Sequence, residues 1–169
     1  MNDSLSQFAQ DLREDIRTMP PRDSAVAEAW FGAQAWRLCA LQAASNPVYR
    51  DLCGAEALAA GFGGDWRGIP AVPSAAFKEW EATSLPKSER VRVFCSSGTT
   101  GHIPSRHYHS EESLAVYEDS LWAWFYPHLA AGMEPGALRF VSLTPSPDDA
   151  PRSSLAHMMD TVARRWRPS

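Results

Sequence analysis

The chain has 169 residues, 44% hydrophobic and 21% charged, enough to bury one core and to form one domain or part of one. Its longest apolar run, Leu121 to Tyr126, is far shorter than the roughly 20 residues of a membrane-spanning helix, and the opening Met-Asn-Asp-Ser-Leu-Ser lacks the basic and apolar regions of a secretory signal. A cytoplasmic protein with no membrane span is therefore expected, and 16 basic against 20 acidic residues, a net charge of -4, argue against a broad nucleic-acid-binding face.

Asp3 or Ser4 can cap a first helix through Leu5, Phe8, Leu12 and Ile16, which Pro20-Pro21 stops. A second helix, capped by Asp23 or Ser24, carries Val26, Ala29, Trp30, Ala33, Trp36, Ala40 and Leu41 as a packing stripe and ends before Asn46-Pro47. Short helical turns are expected around 49–53 and 55–60. The first 45 residues hold two prolines and one glycine, out of 13 and 10 in the whole chain, and the Gly- and Pro-rich stretch from Gly61 to Pro73 reads as a connector. The chain thus divides into a helical N-terminal segment, 1–60, and an α/β segment, 61–169.

In the second segment a brief helix through Phe77 and Trp80 precedes a strand over Val91 to Cys95. The candidate return strand is Arg106 to His109. Ser110, followed by Glu111 and Glu112, starts a helix that should run to about Ala131, with Gly132 as its stop. A further strand fits Leu138 to Leu143, and a last helix starting near Ser153 or Ser154 carries Leu155, Met158, Met159 and Val162. Helices followed by alternating strands and helices give an α/β fold whose sheet is incomplete. Both apolar strands read as interior strands of a larger sheet, and Trp166 with Met158 and Met159 is expected on an uncovered face, so self-association or a second polypeptide is expected.

The sharpest chemical feature is Ser96-Ser97-Gly98-Thr99-Thr100-Gly101, between the two hairpin strands. Two glycines leave amide N–H groups uncovered and four hydroxyls supply short rotatable donors, which suits a phosphate cradle. The loop lacks the lysine and spacing of a P-loop NTPase. On the residues alone it reads equally well as a polar hairpin turn, which would make the chain a noncatalytic α/β interaction module. His107 and His109 would share one strand face, a spacing able to hold zinc, but with no cysteine or acidic third ligand nearby they read, with His102, as an exposed hairpin. Asp148-Asp149 reads as a solvated turn, and Arg164, Arg165 and Arg167 as complements to a helix C-terminus. Cys39, Cys53 and Cys95 contain no C-x-x-C and are expected as reduced thiols, Cys95 as a small buried hydrophobe.

Ser96 to Gly101, with Pro104 and Ser105, resembles the phosphate-binding motif of the adenylate-forming superfamily, which includes acyl-CoA synthetases, peptide-synthetase adenylation domains and firefly luciferase. Three blocks together are similar, in the same order, to the acyl-protein synthetases of bacterial bioluminescence, the LuxE-like family. They are Ile69-Pro70-Ala71-Val72-Pro73 with Phe77-Lys78, the loop with Pro104-Ser105, and Leu143-Thr144-Pro145-Ser146-Pro147 with Ala150-Pro151 and Ser153-Ser154-Leu155. The resemblance covers roughly residues 46 to 163. It implies the beginning of a large adenylate-forming domain, a mixed sheet with flanking helices, with ATP and Mg2+ as cofactors and a carboxylic acid, a fatty acid in the luminescence system, as substrate. The carboxylate would attack the α-phosphorus, pyrophosphate would leave, and the acyl group would pass to a thiol. Ser96, Ser97, Gly98, Thr99, Thr100 and Gly101 would hold the β- and γ-phosphates with no covalent role. The aromatic run Trp122, Trp124, Phe125 and Tyr126 could line an acyl pocket, although core packing is the simpler reading.

Most superfamily loops end in lysine where this chain has Ser105. The family's adenine-binding segment, magnesium carboxylate, ribose-binding Asp, mobile lysine and acyl-accepting cysteine all lie downstream, so neither a magnesium ligand nor an acyl-carrying cysteine is expected here. The resemblance therefore implies an N-terminal portion, inactive alone, that a missing C-terminal half or a second polypeptide would complete.

Overall fold

The computed structural model describes residues 4–18, 24–96, 103–134, 136 and 139–167. The described residues are mostly helical, with one small two-stranded antiparallel sheet among them. Among the described residues no helix is long and apolar enough to cross a membrane.

Helix α1 (Leu5–Thr18) starts where the Ser4 hydroxyl accepts the Gln7 N–H at 3.1 Å, and it buries Phe8 and Ala9. Helix α2 (Ser24–Ser45) buries Cys39 and Ala43, a different face from the predicted stripe: Val26, Ala29, Ala33 and Ala40 are exposed. Apolar residues lie all round this helix, so spacing alone cannot choose its inner face. The choice is made by α3 (Pro47–Cys53), which folds back across the Asn46-Pro47 turn as the Asn46 side chain accepts the Tyr49 N–H at 3.1 Å. After α4 (Ala55–Ala59) the connector coils into two short 3-10 turns, Gly61–Gly64 and Trp66–Gly68. Trp66 lies edge-on to Phe31 at 4.9 Å, and Trp36 edge-on to Phe62 at 5.5 Å. Gly32 permits the first contact, because a Cβ there would stand 3.2 Å from the Trp66 ring.

After α5 (Ala76–Glu79), strand β1 (Arg92–Cys95) pairs with β2 (Arg106–His109), the return strand, in the register Arg92 to His109 through Cys95 to Arg106. The strand expected at Leu138 to Leu143 is absent over 139–143. Val141 is 67% and Leu143 98% exposed; position 138 lies outside the described residues. Apolar character suggested a strand, but no neighbouring ladder accepts it. The Cys95 N–H instead donates to the Arg152 carbonyl at 2.9 Å, so the chain that runs alongside β1 belongs to the proline-rich loop.

Helix α6 (Glu111–Leu129) begins with a capping box in which Ser110 and Ser113 each accept the other's backbone N–H, and Gly132, at φ +77°, follows its end. The Ser153 side chain caps α7 (Ser154–Trp166). Helix α1 lies along α6, and α7 packs on α6 with His157, Thr161, Val162 and Trp166 buried at helical spacing. Trp166 is thus interior, and Met158 and Met159 are half-buried. The uncovered face expected there is therefore not observed for Trp166, on the helix that packs against α6.

Candidate functional site

The predicted loop leaves β1 and re-enters β2 through a neck of two serines. The Ser96 N–H donates to the Ser105 carbonyl at 3.1 Å, and the Ser105 N–H donates to Ser96 Oγ at 3.0 Å. Ser96 is exposed and Ser105 buried. Ser97, Gly98, Thr99, Thr100 and Gly101 lie outside the described residues, as does His102. The Ser96 hydroxyl accepts within the neck yet keeps its own proton to donate outward. Arg106, next to Ser105 in the chain, has a buried Nε with no hydrogen-bond partner, as does Arg92. Of the six residues that the resemblance assigns to phosphate, Ser96 alone lies among the described residues, and it offers a hydroxyl donor.

From the neck a hydrogen-bonded path leads into a cleft of about 630 Å³ under the hairpin. Ser105 Oγ lies 3.2 Å from His107 Nε2, and the His107 ring stacks on Phe77 at 4.8 Å. The cleft wall is apolar along Leu5, Phe8 and Leu12 of α1, and along Phe77, Phe94 and Val116. Its polar side is formed by His107, His109, Ser113, Tyr117 and Ser154. His109 Nδ1 lies 3.3 Å from Ser113 Oγ, and its ring meets Phe94 at 5.0 Å. Burial, followed by the nearby charges of His107 and His157, pushes the pKa of His109 below its ordinary value, so its ring is neutral at neutral pH. Burial raises that of Tyr117, whose hydroxyl donates to the Ser154 carbonyl at 3.4 Å. Behind Phe94, His157 Nε2 sits 2.9 Å from the Glu118 carboxylate. An apolar trough with hydroxyls and the neutral His109 imidazole at one side can hold an amphiphilic molecule by its apolar length and hydrogen-bond its polar end.

His107 and His109 do share a strand face, each engaged by a serine hydroxyl. Among the described residues no group of three His, Cys, Asp or Glu is placed to hold a metal. The aromatic run on α6 is neither core nor cleft wall. Trp122 stacks on Phe125 and Tyr126 at 6.3 and 5.6 Å, Phe125 meets Phe140, and Trp124 is 57% exposed against His128. The part of α6 that lines the cleft lies earlier, at Val116 and Tyr117, where no apolar run drew attention.

Comparison with known protein families, curated proteins and solved structures returns no match.

A second cleft, of about 480 Å³, lies between α2, α3 and the connector and is lined by Cys39, Tyr49, Ile69, Pro70 and Ala71. Leu38 and Gln42 of α2 form a wall common to both clefts. Sequence blocks far apart in the chain thus meet around one region. Phe77 and Ser154 line the larger cleft, Ser105 is one hydrogen bond from it, and Ile69 to Ala71 lie behind its α2 wall. Leu143, which belongs to the third block, faces solvent. Cys95, expected to be buried, is half-buried because β1 has a partner strand on one side only.

Proposed function

We propose that this chain is the N-terminal part of an ATP-dependent acyl-activating enzyme of the LuxE-like kind, at the start of an adenylate-forming domain, working in the cytoplasm where ATP is supplied. The observation that carries the reading is that residues of all three blocks meet at a single cleft, Phe77 and Ser154 in its wall and Ser105 one hydrogen bond away through His107. In this reading Ser96, Ser97, Gly98, Thr99, Thr100 and Gly101 hold the β- and γ-phosphates of ATP. Arg106 supplies the cation that Ser105 replaces at the loop's end. The acid lies with its tail along Leu5, Phe8 and Phe94 and its carboxylate toward His107 and the neck. ATP supplies the activated phosphorus and the pyrophosphate leaving group; the chain's residues bind, orient and stabilise charge. Magnesium ligands, adenine contacts and the acyl-accepting thiol would come from a C-terminal half or a second polypeptide.

A second reading, a noncatalytic interaction module in which the loop is only a turn, is favoured by the mutual hydrogen bonds of Ser96 and Ser105, which close the neck on itself. Titrating the chain with ATP separates the two. Weak saturable binding is expected, and Thr99→Ala with Thr100→Ala should lower the affinity by roughly tenfold, about 1.4 kcal/mol. Equal affinity in the double variant, or no saturable binding by the wild-type chain, would leave only the module.

A further inference from the structure

Two thiols outside that site meet in the interior between α2 and α3. Cys39 Sγ lies 4.0 Å from Cys53 Sγ, both residues are buried, and the Tyr49 hydroxyl donates to Cys39 Sγ at 3.6 Å. They approach through tertiary packing, since they sit on different helices joined by the Asn46-Pro47 turn. A disulfide requires the sulfurs to close to about 2 Å. The structure gives this movement room at one end: Cys53 is the last residue of α3, and Gly54, at φ +77°, has no atom within 4 Å of where its Cβ would stand. Helix α3 is only seven residues long and carries Val48 and Leu52 at 62% and 46% exposed, so little packing opposes its local opening.

We propose that Cys39 and Cys53 are a reversible dithiol–disulfide pair that exchanges with low-molecular-weight disulfides of the glutathione class. The inference stands independently of the acyl-activation reading. Cys39 lines the smaller cleft and meets the reagent first. It gives up its proton, its thiolate attacks one sulfur of the reagent, the reagent's S–S bond breaks, and the departing thiolate takes up that proton. Cys53 then gives up its proton and attacks Cys39 Sγ, which breaks the mixed disulfide and releases the second small thiol. Two protein thiols and one small disulfide become one protein disulfide and two small thiols, the protein sulfurs being oxidised and those of the reagent reduced. Burial pushes the Cys53 thiol up, so exchange is paced by opening of α3.

The sequence makes the test direct, because trypsin cuts after Arg37, Arg50 and Arg67 and places the two cysteines on separate peptides, 38–50 and 51–67. The intact wild-type chain is equilibrated in glutathione buffers of graded poise, quenched in acid, alkylated and digested. The expected result is loss of both alkylated peptides and their replacement by one linked species that dithiothreitol separates, with Cys95 outside the link. Separate alkylated peptides, or separate glutathione adducts on Cys39 and Cys53, in a buffer that fully glutathionylates Cys95 would overturn the proposal. A link from either residue to Cys95 would overturn it too. No substituted chain is needed, so a folding defect cannot mimic either result.

Discussion

The body built from α1, α6, α7 and the hairpin is tied by contacts that cross most of the chain, and α2 joins it through Arg37 Nη2 on Asp11 at 2.8 Å, whereas α3 is held on α2 by a local turn and small side chains. Asp119, on α6 and 3% exposed, receives Arg13 Nε and Arg17 Nη2 from α1, each at 2.8 Å, and Arg165 Nη2 from α7 at 2.7 Å. In the α2–α3 pair the buried residues are Cys39, Ala43 and Cys53, and nothing on α3 reaches farther along the chain than α2 and α4 among the principal contacts. The difference separates two kinds of stability. The first region spreads a defect through three helices, while α3 can open without disturbing them.

The largest expected effect breaks the first region. Phe94 is 4% exposed and touches the rings of His109, Tyr117 and His157, so Phe94→Ala should cost about 3–4 kcal/mol in urea unfolding. A loss below about 1 kcal/mol would mean that the cleft wall collapses freely around the vacancy. Next comes Asp119→Asn, expected to cost about 3 kcal/mol because three guanidinium groups lose the charge they share. Burial raises the pKa of this carboxyl, but hydrogen bonds from Arg13 and Arg165 and the charge of Arg17 outweigh it and hold it below the ordinary 3.8. Its contribution is therefore complete above that pH and lost as pH falls through the depressed value, so the wild-type and Asp119→Asn stability curves should converge below about pH 4. Curves that stay parallel would remove the clamp from the account.

His109 gives a smaller effect at milder pH. Its pKa is also depressed, so the unfolded chain protonates there first, and stability should decline as pH falls below the ordinary 6.5. His109→Gln should flatten that decline; an unchanged slope would place its origin in other groups. In the second region Cys53→Ala should cost about 1 kcal/mol, since one sulfur is lost beside a helix end with room to relax. The smallest effect is expected at Leu143, 98% exposed. Leu143→Ser should change stability by less than about 0.5 kcal/mol, and a larger loss would reveal that something covers it.

Local signals were legible in the sequence where one residue decides the outcome. Ser110 marked the start of α6, Gly132 its stop, and Arg106 to His109 the return strand, because caps and hairpins are set by neighbours in the chain. Decisions made by distant partners were not legible. The inner face of α2 depends on α3, the burial of Trp166 on α6, and the absence of a strand over 139–143 on the Arg152 carbonyl that accepts from β1. The cleft illustrates the same limit. His107 and His109 stood out as a histidine pair, but Phe94, Tyr117 and His157 join them from three different elements at separations that no spacing rule connects. The phosphate-loop reading rests on a six-residue motif, of which the described residues include Ser96 alone.

Pro127 lies in the last turns of α6 and has no N–H to give, so the Ala123 carbonyl lacks its helical donor. The opposite end of the same helix is closed by the Ser110–Ser113 box. Two exchange regimes are therefore expected within one helix. Amides from about Ser113 to Asp119 should exchange with solvent deuterium at rates approaching global unfolding, while those beyond Ala123 exchange through fraying. The stacked Trp122, Phe125 and Tyr126 straddle that boundary, so their fluorescence should relax on a faster timescale than the body that carries them.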